Sequence, residues 1–131
     1  MDVFIAPLGA LAVLYALKRI LMIDLSVRDA GGMLRNGAVL VDVRTPEEFG
    51  DGKVPGAVNI PLDELRNKAG AVVPGRDTVV LLYCRSGTRS YIGKRIMKKM
   101  DYTTVFNAGS FRRARKIAAY AGSQTDISGS P

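Results

Sequence analysis

The chain of 131 residues contains no histidine, no tryptophan and a single cysteine, Cys84. Without histidine it can run neither Ser-His-Asp nor Cys-His catalysis, and it holds no zinc site with a histidine ligand. One cysteine excludes an intrachain disulfide, a zinc knuckle and a CxxC redox pair. Any covalent sulfur chemistry therefore falls to Cys84 alone. Acidic residues are also scarce: 12 Asp and Glu stand against 19 Lys and Arg, a net charge of +7. The length suits one domain rather than two. With 47% hydrophobic and 24% charged residues, most of the chain is neither disordered nor collagen-like.

The N-terminus differs in composition from the rest. Val3 to Leu17 carries no charge, and Lys18-Arg19 precede a further apolar stretch to Ile23. As a helix, the uncharged run is about 22 Å long, short of a hydrocarbon core of about 30 Å. Reaching Ile23 brings the length to about 31 Å, provided Lys18 and Arg19 snorkel to the interface. No basic n-region precedes the run, and Asp2 is acidic, so a cleaved signal peptide fits poorly. The segment 1–23 is expected to be a hydrophobic helix and a membrane anchor through residues 3–23. The positive-inside rule would then hold the body of the protein on the cytoplasmic side of the cell membrane. The alternative is a helix packed on protein in a soluble cytoplasmic molecule.

From Asp24 the pattern is that of a compact α/β domain. Ser26 reads as an N-cap of a helix ending near Asn36-Gly37, and Ala38 to Val43 as a buried strand. Thr45-Pro46-Glu47-Glu48 opens a second helix, with a cap, proline at the first helical position and acids facing the dipole. Short strands are expected at 57–60, 78–83 and 104–106, and helices at 63–68, 90–100 and 111–120. Gly122 to Pro131 is expected to be a flexible polar tail. This alternation predicts a mainly parallel sheet covered on both faces, in a domain spanning 24–121.

Cys84 stands where the most apolar strand gives way to a helix, at the end of the sheet where open α/β proteins bind ligands. The turn reads Cys84-Arg85-Ser86-Gly87-Thr88-Arg89-Ser90. Gly87 admits backbone conformations closed to other residues, and Ser86, Thr88 and Ser90 are short and polar. Curled around the sulfur, such a loop aims several N–H groups at one point at a helix N-terminus, an anion site that favours thiolate over thiol. Arg85 and Arg89 add positive charge, and a thiolate formed this way needs no histidine base. Asp42 and Arg44, at the end of the first strand, read as a structural carboxylate–guanidinium pair, because a free carboxylate near Cys84 would oppose its ionisation.

Several segments resemble the single-domain rhodaneses. Asp42-Val43-Arg44-Thr45-Pro46-Glu47-Glu48-Phe49 is similar to their DVRTPEEF segment. Gly52 to Pro61 resembles G-H-I-P-G-A-x-N-I-P, with Lys53 in the histidine position. Tyr83 to Ser90 resembles the active loop Y-C-x-x-G-x-R-S, and Asn107-Ala108-Gly109-Ser110 stands in place of a turn that often ends Gly-Gly. The resemblance covers about residues 24–121. It implies a rhodanese-like three-layer sandwich and a sulfurtransferase that carries sulfane sulfur as a Cys84 persulfide. The donor would be thiosulfate or a related anion, and the acceptor cyanide, a thiol or a protein cysteine. Arg85, Ser86, Gly87, Thr88, Arg89 and Ser90 would bind the substrate, and no metal or cofactor is called for. Two other readings stand beside it. One is a non-catalytic rhodanese-like module that carries sulfur or binds protein. The other, a phosphatase or arsenate reductase, is disfavoured because Arg89 makes the loop C-x4-R, one residue shorter than the C-x5-R those relatives use.

Between Cys84 and Tyr120 ten basic residues face one acid, Asp101. Such a surface raises the local concentration of anionic donors and would suit an anionic inner leaflet. Nucleic acid fits less well, since aromatics interleaved with the basic residues are few and no known binding motif is present.

Overall fold

The structure is a computed structural model and describes residues 8–128. It comprises helices α1 (Leu8–Met22), α2 (Val27–Arg35), α3 (Pro46–Asp51), α4 (Leu65–Val72), α5 (Thr88–Lys99) and α6 (Phe111–Ser128), and strands β1 (Val39–Asp42), β2 (Val58–Asn59), β3 (Val80–Tyr83) and β4 (Val105–Gly109). All the strand pairs are parallel, in the order β2-β1-β3-β4.

The strands read as apolar runs rather than alternating ones because both faces of the sheet are covered. Val41, Val80, Leu82 and Cys84 face a core completed by Leu65 and Ala69 of α4 and Met97 of α5. Leu40, Leu81 and Tyr83 face the other way, onto Ala30 of α2 and Ala114 and Ile117 of α6. The result is helix, sheet, helix, with a mixed α/β architecture and a four-stranded parallel sheet at its centre. Close approach of α2 to α6 depends on Gly31, where a Cβ would come within 2.6 Å of the Tyr120 ring.

Local chemistry sets the helix starts. Ser26 Oγ accepts from Asp29 N at 3.0 Å and caps α2. Thr45 and Glu48 form a reciprocal capping box at α3, with Pro46 in the first turn.

Two expectations are corrected. The first is the membrane-spanning helix over residues 3–23. Helix α1 has 15 residues, about 22 Å, and includes Lys18. No helix among the described residues is long and apolar enough to cross a membrane. Residues 3–7 lie outside the described residues. The second is the polar tail from Gly122. Helix α6 continues through Ser128, with Ser123 Oγ donating back to Tyr120 O at 2.9 Å. Residues 129–131 lie outside the described residues. Elsewhere the differences are of a few residues: α4 runs on to Val72, past the expected end at 68, and β4 extends to Gly109, past 106.

Candidate active site

Strand β3 delivers Cys84 to the carboxyl end of the sheet, and the next residues wrap over it. Gly87 N lies 3.0 Å from Cys84 Sγ and donates to it. Ser90 Oγ lies 3.5 Å from the same sulfur. Gly87 occupies the left-handed region, φ 99°, which lets the chain reverse there before α5 begins. Burial pushes the Cys84 thiol up. The Ser90 hydroxyl and the N–H groups of Ser90, Gly87 and Ser86 outweigh burial and hold the thiol below its ordinary value.

The turn from β4 into α6 braces the loop from behind. Cys84 N donates to Gly109 O (3.1 Å), Phe111 N donates to Arg85 O (3.3 Å), and Ser86 bridges to Ser110. Ser110 also caps α6, its Oγ accepting from Arg113 N at 3.1 Å. The serine that replaces the second glycine of the usual turn thus acts as a helix cap.

Asn107 is fully buried beneath the loop. Its Nδ2 donates to Gly87 O (3.1 Å), while its Oδ1 accepts from Gly109 N (3.0 Å) and Ser90 Oγ (2.7 Å). One amide thereby fixes both the loop backbone and the serine that faces the sulfur. In the sequence it was visible only as part of a turn.

The predicted site residues separate into groups. Ser90 and Gly87 are buried against the sulfur, whereas Arg85, Ser86 and Thr88 are exposed at the rim. Arg89 is half-buried, pairs with Glu48 and also feels the charge of Cys84. Its Nη1 and Nη2 donate to the two oxygens of Glu48 at 2.6 and 2.9 Å. Glu48 was expected only to start a helix. Its hydrogen bonds from Arg89, reinforced by Thr45 at the cap, overcome partial burial and hold its carboxyl down at about 2.

Asp42 and Arg44 form a buried pair, with Nη2 to Oδ2 at 2.7 Å and Arg44 N to Oδ1 at 2.8 Å. Arg44 also donates to Gly52 O and stacks over Phe111, 4.5 Å from the ring centroid. The carboxylate is thus paired with a guanidinium that ties three segments together.

The loop turns inward, yet Cys84 itself has no exposed surface. Two cavities flank the loop. One of about 640 Å³ is lined by Thr45, Arg66, Asn67 and Arg89 among others. The other, about 660 Å³, lies between the loop and α1. No cluster of side chains suited to a metal ion occurs among the described residues.

A strand-end cysteine under a ring of amides, on a parallel sheet clad with helices, defines a class of protein. Residues 26–113 match the model of the rhodanese-like domain, and the chain belongs to the rhodanese-like domain family. Among its relatives is the thiosulfate sulfurtransferase PspE of Escherichia coli, 40% identical over 72 residues, which are 55% of this chain and 69% of that one. A sulfurtransferase of Allochromatium vinosum is 36% identical over 53% of this chain and 63% of its own length. Among solved structures, a rhodanese with anions from E. coli superposes with a TM-score of 0.57 at 38% identity, covering 59% of this chain and 91% of that chain. The human single-domain sulfurtransferase TSTD1 gives 0.59 at 28% identity, covering 68% and 91%. The chain is an enzyme of the sulfurtransferase class.

Proposed function

We propose that Cys84 carries sulfane sulfur between an anionic donor and a thiophilic acceptor. The Cys84 thiolate attacks the outer sulfur of thiosulfate or a related donor. A new S–S bond forms to Cys84, the donor's S–S bond breaks, and its electron pair leaves with sulfite. The enzyme is then a persulfide, Cys84–S–S⁻. An acceptor nucleophile attacks the terminal sulfur, and the bonding pair returns to Cys84 as thiolate. With cyanide the product is thiocyanate; with a thiol or protein cysteine it is a persulfide of the acceptor.

The observation that carries this reading is the convergence of Gly87 N, 3.0 Å away, and the Ser90 hydroxyl on a sulfur held below its ordinary pKa. A ring of fixed dipoles stabilises negative charge without a proton acceptor, as a histidine-free site requires. Exposed Arg85 and Arg66 offer cationic flanks to the donor. Because the sulfur is sealed at rest, donor entry includes an outward movement of the loop Arg85–Arg89. Asp42 and Arg44 act as structure, holding the end of β1 against Gly52 and Phe111.

The test is intact-mass analysis after incubation with thiosulfate. The expected product carries one additional sulfur atom, loses it to cyanide, and does not form in Cys84→Ser. No gain in mass on incubation, in wild type as in Cys84→Ser, would leave a module that binds without transfer.

A further inference from the structure

Helix α1 is apolar around most of its circumference, and such a surface usually finds a cover. Its C-terminal end is fixed beside the reactive loop. Asp24, two residues beyond it, accepts from Lys94 Nζ at 2.5 Å and from Asn107 N at 2.7 Å. Ile23 lies against Gly109, with Cγ1 3.7 Å from where a Cβ would stand. Leu14, Leu17 and Lys18 share one helical face by their i, i+3, i+4 spacing. That face forms one wall of the 660 Å³ cavity, and Ser86, Gly87 and Thr88 form the opposite wall. Gly87 therefore lines the cavity and donates to Cys84 Sγ at once. The wall is unspent surface, since Leu14 is 62% exposed and Leu17 49%. Lys18 is the one charged side chain among the described residues lining the cavity.

Building on the sulfur transfer described above, we infer that this cleft selects the acceptor: a small thiol with an unbranched apolar stem ending in a carboxylate. The stem lies along Leu14 and Leu17, the carboxylate meets Lys18, and the sulfur faces the loop over Cys84. Thiosulfate, a compact dianion, gains nothing from an apolar wall, so the wall acts on the second half-reaction. There the acceptor thiolate attacks the terminal sulfur of Cys84–S–S⁻. The S–S bond to Cys84 breaks, its electron pair stays on Cys84, and the acceptor leaves as R–S–S⁻. The proton lost from the thiol goes to solvent.

The experiment uses the full chain, loaded with thiosulfate, and ω-mercaptocarboxylates of two to seven methylenes as acceptors, with cyanide as control. Burying a methylene fully is equivalent to about a fourfold gain in affinity, and half-burial on an open wall to about twofold. In wild type, kcat/KM is expected to rise about twofold per methylene until the wall is covered. The double variant Leu14→Gln/Leu17→Gln, altered at exposed positions, is expected to lose most of that slope while transferring to cyanide at the wild-type rate. Lys18→Glu is expected to slow the carboxylates and leave neutral alkyl thiols unchanged. A flat wild-type series, or an equal slope in the double variant, overturns the inference. A slope that disappears on dilution of the protein also overturns it, because the wall would then belong to contact with a second copy. Absence of transfer to cyanide as well would instead refute the Cys84 chemistry itself.

Discussion

Replacing Ser90 with alanine isolates one contribution to the ionisation of Cys84. The Ser90 hydroxyl has a single hydrogen and several acceptors around it: Asn107 Oδ1 at 2.7 Å, Gly87 O at 3.1 Å, and Cys84 Sγ and Gly109 O at 3.5 Å. A hydrogen bond to a charged group contributes about 1.5–3 kcal/mol. The length to sulfur and the competition from Asn107 place this one at or just below the low end, about 1.4 kcal/mol, a factor of about ten in the thiolate equilibrium. The substitution orphans nothing else. Asn107 Oδ1 keeps the Gly109 N–H, and Gly87 O keeps Asn107 Nδ2, so the fold is expected to lose no more than about 1 kcal/mol. The assay is the pH profile of alkylation by iodoacetamide. On the acid side, Ser90→Ala has about tenfold less thiolate, but a more basic thiolate attacks about threefold faster at a Brønsted slope of about 0.45. Alkylation is therefore expected to be about threefold slower than wild type at low pH and about threefold faster on the alkaline plateau, so the two profiles cross. Superimposed profiles, or a variant that is faster on the acid side, would refute the claim that this hydroxyl stabilises the thiolate.

Three further outcomes follow from the geometry. Arg44→Met leaves Asp42 buried without its guanidinium partner and should lower unfolding stability by about 3–5 kcal/mol in urea titrations; a loss under 1 kcal/mol would show that another cation replaces it. Gly87→Ala forces a side chain into φ 99°, at a cost of about 1–3 kcal/mol, and should slow sulfur loading by thiosulfate well beyond any change in a Gly56→Ala control placed away from the sulfur. Glu48 is held near 2 by Arg89, below its unfolded value of about 4.3, so its contribution is complete above that value and disappears as pH falls towards 2. The stability difference between wild type and Glu48→Gln should therefore be about 0.5–1 kcal/mol at pH 6 for this partly exposed pair and should close between about pH 4 and 2; a pH-independent difference would show that Glu48 acts by packing.

Much of the molecule is legible along the chain because the physics that produces it is local. Apolar runs of strand length, separated by capped helical segments, imply a parallel sheet covered on both faces, and the structure has that form. The loop over the sulfur is equally local: Cys84, Gly87 and Ser90 lie within seven consecutive positions, so backbone curvature alone brings them together. The misjudged tail is a case where local signals mislead. Glycine and polar residues argue for a stop at Gly122, but a helix already docked on the sheet through Ala114 and Ile117 propagates at little cost per added residue.

Tertiary structure alone decided the partnerships across long stretches of sequence. Glu48 takes Arg89 from 41 positions away, Asn107 holds Ser90 from 17, and Asp24 ties Lys94 to the strand from 70. No pattern of spacing encodes such pairs, because the crossovers between parallel strands determine which turns become neighbours. The same packing seals Cys84 and pairs Arg89 with Glu48. A nucleophile and its amide ring are properties of seven residues in a row, whereas access to them is a property of the whole fold.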